Sequence, residues 1–98
     1  MVGEASMAPW PRSEIYDLIE TERLRQNQLK ADGRFRFTCA DKVLPNERKL
    51  AIIGEEFGEV CRALIEQQGL ANDLHHAELK KELIHVAAVA VAWLESLS

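Results

Sequence analysis

Apolar residues recur at helical spacing in three stretches of the chain, separated by segments where the rhythm breaks. In the first, Ile15, Leu18, Ile19 and Leu29 fall in phase with Glu22 and Gln26, the i, i+3, i+4 pattern of one helix face. Ser13 stands ahead of this run as an N-cap, with Glu14 and Asp17 in the opening turn, where carboxylates favour the helix dipole. The pattern stops near Ala31, before Gly33, a residue suited to the left-handed turn that ends a helix. Arg34-Phe35-Arg36-Phe37-Thr38 alternates like a short strand, but no other segment offers it a partner, and a lone strand is unstable. Residues 33–44 are therefore expected to form an irregular loop.

Pro45-Asn46 predicts the next start, with Asn46 as N-cap. Leu50, Ile53, Phe57, Val60, Cys61 and Leu64 form one apolar stripe, and Gly69 follows as a C-cap. Asn72 or Asp73 caps a third helix running to about Leu97. Within it, Val86 to Leu94 is apolar on every side, so it must be buried on more than one face. Three helices of this length enclose such a segment poorly. The expected fold is therefore all-α: three main helices per chain, completed by a two-fold homodimer.

Composition narrows the class. Ninety-eight residues, 47% hydrophobic and 29% charged, make a single domain of ordinary make-up, with residues 1–12 as a flexible leader and 13–98 as the helical unit. The net charge of -4 argues against a general nucleic-acid binder, which would be basic. No signal peptide is visible, and no apolar run approaches the length that spans a bilayer. A cytoplasmic protein without a membrane or nucleic-acid partner is expected. Cys39 and Cys61 lack any metal-type spacing and read as two reduced thiols.

Two clusters carry candidate chemistry. Glu55-Glu56-Phe57-Gly58-Glu59 brings Glu56 and Glu59 together at i, i+3 and Glu55 and Glu59 at i, i+4. Like charges so placed repel by a few tenths of a kcal/mol, and a divalent cation reverses that sign. An exposed, solvated face with Arg62 as counter-ion is the simpler reading of this cluster taken alone. In Glu82-Leu83-Ile84-His85, Glu82 lines up with Val86, Val89 and Trp93, and His85 lies on the same side beside Val89. A carboxylate aligned with a buried seam needs a partner or a metal. For His85 alone, a hydrogen-bonded interior histidine is the plainer alternative.

The order Glu55-Glu56-x-x-Glu59, a spacer, then Glu82-x-x-His85 followed by Val-Ala-Ala resembles the MazG-like nucleotide pyrophosphohydrolase family. That family has EExxE on one helix and ExxD on the next. Lys81 to Ala90 is similar to the second motif and its continuation, and Glu22 to Gln26 to a first-helix segment of some members. The resemblance covers about residues 14–97. It implies hydrolysis of nucleoside triphosphates to the monophosphate and pyrophosphate by a magnesium-dependent enzyme, assembled as a dimer or as a tetramer of two dimers. It further implies metal ligation by Glu56, Glu59 and Glu82, with His85 at the fourth position and Glu55 as a supporting acid or base. Arg23, Arg25, Lys30, Arg34 and Arg36 are candidates for phosphate contact, since guanidinium forks match phosphate oxygens.

His85 departs from the pattern, which has aspartate there. Magnesium prefers oxygen, whereas imidazole suits manganese's heavier neighbours such as iron, copper, nickel and zinc. The exchange weakens a magnesium site, changes the metal to manganese or another transition ion, or leaves a nucleotide-binding or helical interaction module without turnover. A dimeric di-iron or di-manganese carboxylate protein, built from single glutamates and Glu-x-x-His, is a further alternative.

Overall fold

Prolines set the entries of the first two helices, because a residue without an N–H loses nothing at a helix start. The computed structural model describes residues 11–66 and 73–98, with residues 73–76 described by backbone alone. It contains α1 (Arg12–Ala31), α2 (Asn46–Glu66) and α3 (Asp73–Ser96). No strand occurs among the described residues. The protein is all-α, as the periodicity indicates.

Helix starts differ from expectation by a residue or so. Pro11, extended at φ -60° and ψ 151°, caps α1 in place of Ser13, and no side chain bonds the exposed amides. Its carbonyl accepts the Ile15 amide at 3.1 Å. Pro45 likewise accepts the amides of Arg48 and Lys49 at 3.0 and 3.1 Å. Asn46 is therefore the first helical residue, and its side chain is used elsewhere: Trp93 Nε1 donates to Asn46 Oδ1 at 2.9 Å. The third helix includes Asp73 and ends at Ser96. The expected leader, apart from Pro11 and Arg12, lies outside the described residues, as do the Gly69 cap and Asn72.

Helix α3 is the centre of the arrangement. It packs against both α1 and α2, which make no helix-to-helix contact with each other among the described residues. Ala88 and Ala92 are fully buried, and Val89 nearly so. Small side chains let the flanking helices approach closely, but of the apolar run 86–94 only Ala88, Val89 and Ala92 are buried, and Leu94 is 63% exposed. Val86 and Trp93 are half-buried. The rest of the run, Leu94 above all, is apolar surface that this chain alone leaves open.

A row of exposed apolar residues lies on α2, besides Leu83, Leu94 and Leu97 on and just beyond α3. Val60 is buried and Ile53 half-buried, whereas Leu50 is 61% exposed, Phe57 59% and Leu64 49%. Cys61, also exposed, is a free thiol, as is buried Cys39. The inward face of α2 uses Lys49, Ile52, Glu56, Val60 and Ala63 instead. Both faces carry apolar residues, so the helical spacing in this segment fits two stripes.

Polar ties fix the register. Lys49, 2% exposed, donates to Ser96 Oγ at 2.7 Å, and Ser96 donates to the Trp93 carbonyl at 2.6 Å. With Trp93–Asn46, these join the start of α2 to the end of α3, so the two run antiparallel. Arg23 on α1 makes a two-pronged bond to Glu95 on α3, at 2.7 and 2.9 Å. Gly33, at φ 81°, ends α1, with the amides of Arg34 and Phe35 bonded to the Leu29 carbonyl. Asp41 then organises the loop by accepting from the Thr38 amide and from Lys30.

The Arg23 bonds hold the Glu95 carboxyl below its ordinary value of 4.5 against the opposing effect of partial burial, and Lys30 does the same for Asp41. A carboxyl with a depressed folded pKa stabilises the fold above its unfolded value and loses that contribution as the pH falls through the folded one. Urea unfolding monitored by circular dichroism should therefore show stability declining below about pH 4.5. Arg23→Ala should cost about 1–2 kcal/mol at neutral pH and flatten part of that acid dependence. An unchanged midpoint would remove the ion pair from the forces that dock α1.

Candidate metal centre

Antiparallel packing of α2 on α3 sets Glu56 opposite the pair Glu82 and His85, one helical turn apart on α3. His85 Nδ1 lies 3.2 Å from Glu82 Oε1 and 3.8 Å from Glu56 Oε2. Each of the three residues offers a donor atom within 4.8 Å of the other two. Glu82 is 8% exposed, which fits its alignment with the seam of α3. On the other side of the ring, His85 Nε2 lies 3.8 Å from Glu22 Oε1 of α1. The imidazole thus stands between carboxylates from all three helices.

Glu22 is the residue that motif reasoning passed over. Its signal was present: it falls in phase with Ile15, Ile19 and Leu29, the same kind of polar intrusion into an apolar stripe that singles out Glu82. Arg25 donates to both its oxygens at 2.8 Å, and Gln26 approaches at 3.5 Å. Burial works to raise its carboxyl. The Arg25 hydrogen bond, the nearby His85, the Arg25 charge and the Gln26 bond together outweigh that and hold it below 4.5.

Glu56 has the opposite balance. Burial raises it above the ordinary 4.5, His85 opposes this, and the negative charges of Glu82, Glu22 and Glu59 raise it further. Glu56 is thus a carboxylate held among like charges without the arginine that Glu22 enjoys.

These residues border a cavity of about 230 Å³, open on one side. Glu22 and Arg25 of α1, Glu56 of α2 and His85 of α3 supply its polar wall, while Phe35 and Phe37 of the 33–44 loop supply an aromatic one. The Phe37 ring is also covered by Arg48, whose guanidinium carbon lies 5.6 Å from its centroid, within cation–π range.

The other sequence candidates are placed differently. Glu59 is one turn beyond Glu56 and outside the three-residue group; its carboxylate faces Arg62 at 3.5 Å. Glu55 is exposed and does not line the cavity. Arg23 is turned to Glu95 and Gln26, and Lys30 to Asp41, so both are engaged in holding α1 and the loop. Arg34 and Arg36 are exposed. Of the basic candidates, Arg25 is the one bordering the cavity.

Comparison with protein-family models, curated proteins and solved structures gives no match to this chain. No described helix is long and apolar enough to cross a membrane.

Because Glu56 is ionised at a cost to the fold, Glu56→Gln should stabilise the metal-free protein by a few tenths of a kcal/mol. Urea unfolding at neutral pH in the presence of a chelator measures this. A clear loss of stability would show that Glu56 is a favourable structural partner of His85 instead of a strained one.

Proposed function

We propose that the chain is a metal-dependent nucleotide pyrophosphohydrolase, cleaving ribo- or deoxynucleoside triphosphates to the monophosphate and pyrophosphate. The observation that carries this reading is the convergence of Glu56, Glu82 and His85 from two helices beside a cavity that also presents Arg25 and two phenylalanines. Two carboxylates and an imidazole within reach of one another are a donor set that fits a divalent cation. The motif order that resembles the MazG-like family supports the choice of phosphate chemistry.

A divalent ion at this centre would neutralise phosphate charge and lower the pKa of an attacking water. Glu56 and Glu82 would hold it by their oxygens and His85 by a ring nitrogen. Arg25, a short reach away on Glu22, can exchange one of its two carboxylate bonds for a phosphate oxygen, since its fork suits both. Phe35 and Phe37 offer ring faces on which a base can stack. Glu59 is a reserve oxygen donor one turn away. Glu55, exposed and outside the cavity wall, is given no base role here.

The assembly we propose is a two-fold homodimer joined through the outer face of α2. Leu50, Phe57 and Leu64 recur at seven-residue intervals, with Cys61 between the last two, all exposed. That spacing is the seam of paired helices. Gly54 and Gly58 lie on the same helix with open space beside them, leaving room for a close partner.

Pyrophosphate release should be detected from a panel of nucleoside triphosphates with magnesium or manganese, and Glu56→Gln should lower it on the order of 100-fold. Absence of release from folded protein with every nucleotide and with magnesium, manganese and zinc in turn would overturn hydrolysis and favour a nucleotide-binding module. Light scattering at micromolar concentration should give twice the chain mass, and Phe57→Glu should give the single chain. A monomeric native protein would overturn the dimer.

A further inference from the structure

The two ring nitrogens of His85 face different surroundings. Nδ1 has two carboxylates near it, Glu82 Oε1 at 3.2 Å and Glu56 Oε2 at 3.8 Å. Nε2 has one, Glu22 Oε1 at 3.8 Å, and Glu22 is already held at both oxygens by Arg25 at 2.8 Å. An imidazole's nitrogens point away from each other, so a single ion takes only one of them.

We propose that His85 binds the metal through Nδ1, that Glu22 is a positioning residue which receives the Nε2 hydrogen, and that the centre selects a transition ion such as zinc over magnesium. The inference rests on the metal centre of the preceding subsection and deepens it, but it does not depend on turnover. Metal–nitrogen and metal–oxygen bonds of about 2.0–2.2 Å place two donors on one ion roughly 3.0–3.5 Å apart. The Nδ1–Glu82 separation of 3.2 Å already meets this. Glu56, 3.8 Å from Nδ1 in a donor group spread over as much as 4.8 Å, must move inward. Glu22, 3.8 Å from Nε2, must close to hydrogen-bond reach. An ion at Nε2 would instead meet a carboxylate whose oxygens are both engaged by a guanidinium.

Arg25 then gains a role beyond the cavity. By holding Glu22 from the far side it keeps that carboxylate ionised and fixed, the arrangement in which an outer carboxylate sets a histidine's tautomer and strengthens it as a ligand. Magnesium demands a shell of oxygens in near-ideal octahedral geometry, and a nitrogen at this position works against it. Zinc, iron and nickel accept the mixed nitrogen and oxygen set.

The test uses the full chain with zinc and magnesium as probes and no nucleotide. Competition titration should show zinc binding that excess magnesium does not displace. Nitrogen-15 NMR of the zinc-loaded protein should show His85 Nδ1 bound to metal and Nε2 protonated. Glu22→Ala should weaken zinc roughly 10–100-fold and broaden or shift the Nε2–H signal, with helix content by circular dichroism unchanged. His85→Asp should lose zinc preference and gain magnesium. Metal on Nε2, equal competition by magnesium, or no zinc binding by the folded protein would each overturn the proposal. Zinc bound as described without pyrophosphate release would sink the hydrolase reading and leave this one standing.

Discussion

One helix that supplies the packing surface for both its neighbours governs this structure. Ala88 and Ala92 have no exposed surface at all, and α1 and α2 both pack on α3 with no helix-to-helix contact between them among the described residues. Such a layout leaves a gap between the outer helices. Glu22, Glu56 and His85 face into that gap because each sits on the inward stripe of its own helix. The cavity is thus a result of the packing, and the loop over residues 33–44 roofs part of it.

The same constraint explains the polar fastenings. The fully buried positions of α3, Ala88 and Ala92, are alanines, which offer few knobs to set a register. Directional bonds take over. Arg23 to Glu95 locates α1, while Lys49 to Ser96 and Trp93 to Asn46 locate α2. Each of these bridges lies toward the carboxyl end of α3, whereas the carboxylates and imidazole gather further toward its amino end. Stability and chemistry therefore occupy different stretches of one helix. Neutralising a carboxylate of the centre leaves the fastenings untouched.

Much of this was legible from residue spacing. The three helices, the unpaired loop and the end of α1 before Gly33 follow from periodicity and turn chemistry alone. The alignment of Glu82 and His85 along the apolar phase of α3 also brings out that the two share one face of that helix. What spacing cannot give is which turns of different helices come opposite each other. For that reason Glu59 looks equivalent to Glu56 in the motif, yet one turn places its carboxylate on Arg62. Glu22, in the first-helix segment but outside the two acidic motifs, is brought beside His85 by packing. Arg23 and Lys30 look like free phosphate ligands until Glu95 and Asp41, distant in sequence, are seen to occupy them. On α2, apolar residues on both faces satisfied the same helical spacing, and only burial separates the inner stripe from the outer.

The loop over residues 33–44 is held to all three helices at once. Lys30 of α1 bonds Asp41, Arg48 of α2 lies over the Phe37 ring, and Cys39 is buried in one cluster with Val89 and Ala92 of α3. A substitution in that loop is therefore felt by the whole frame, and the aromatic wall of the cavity cannot be reshaped without disturbing the helices that carry its polar one.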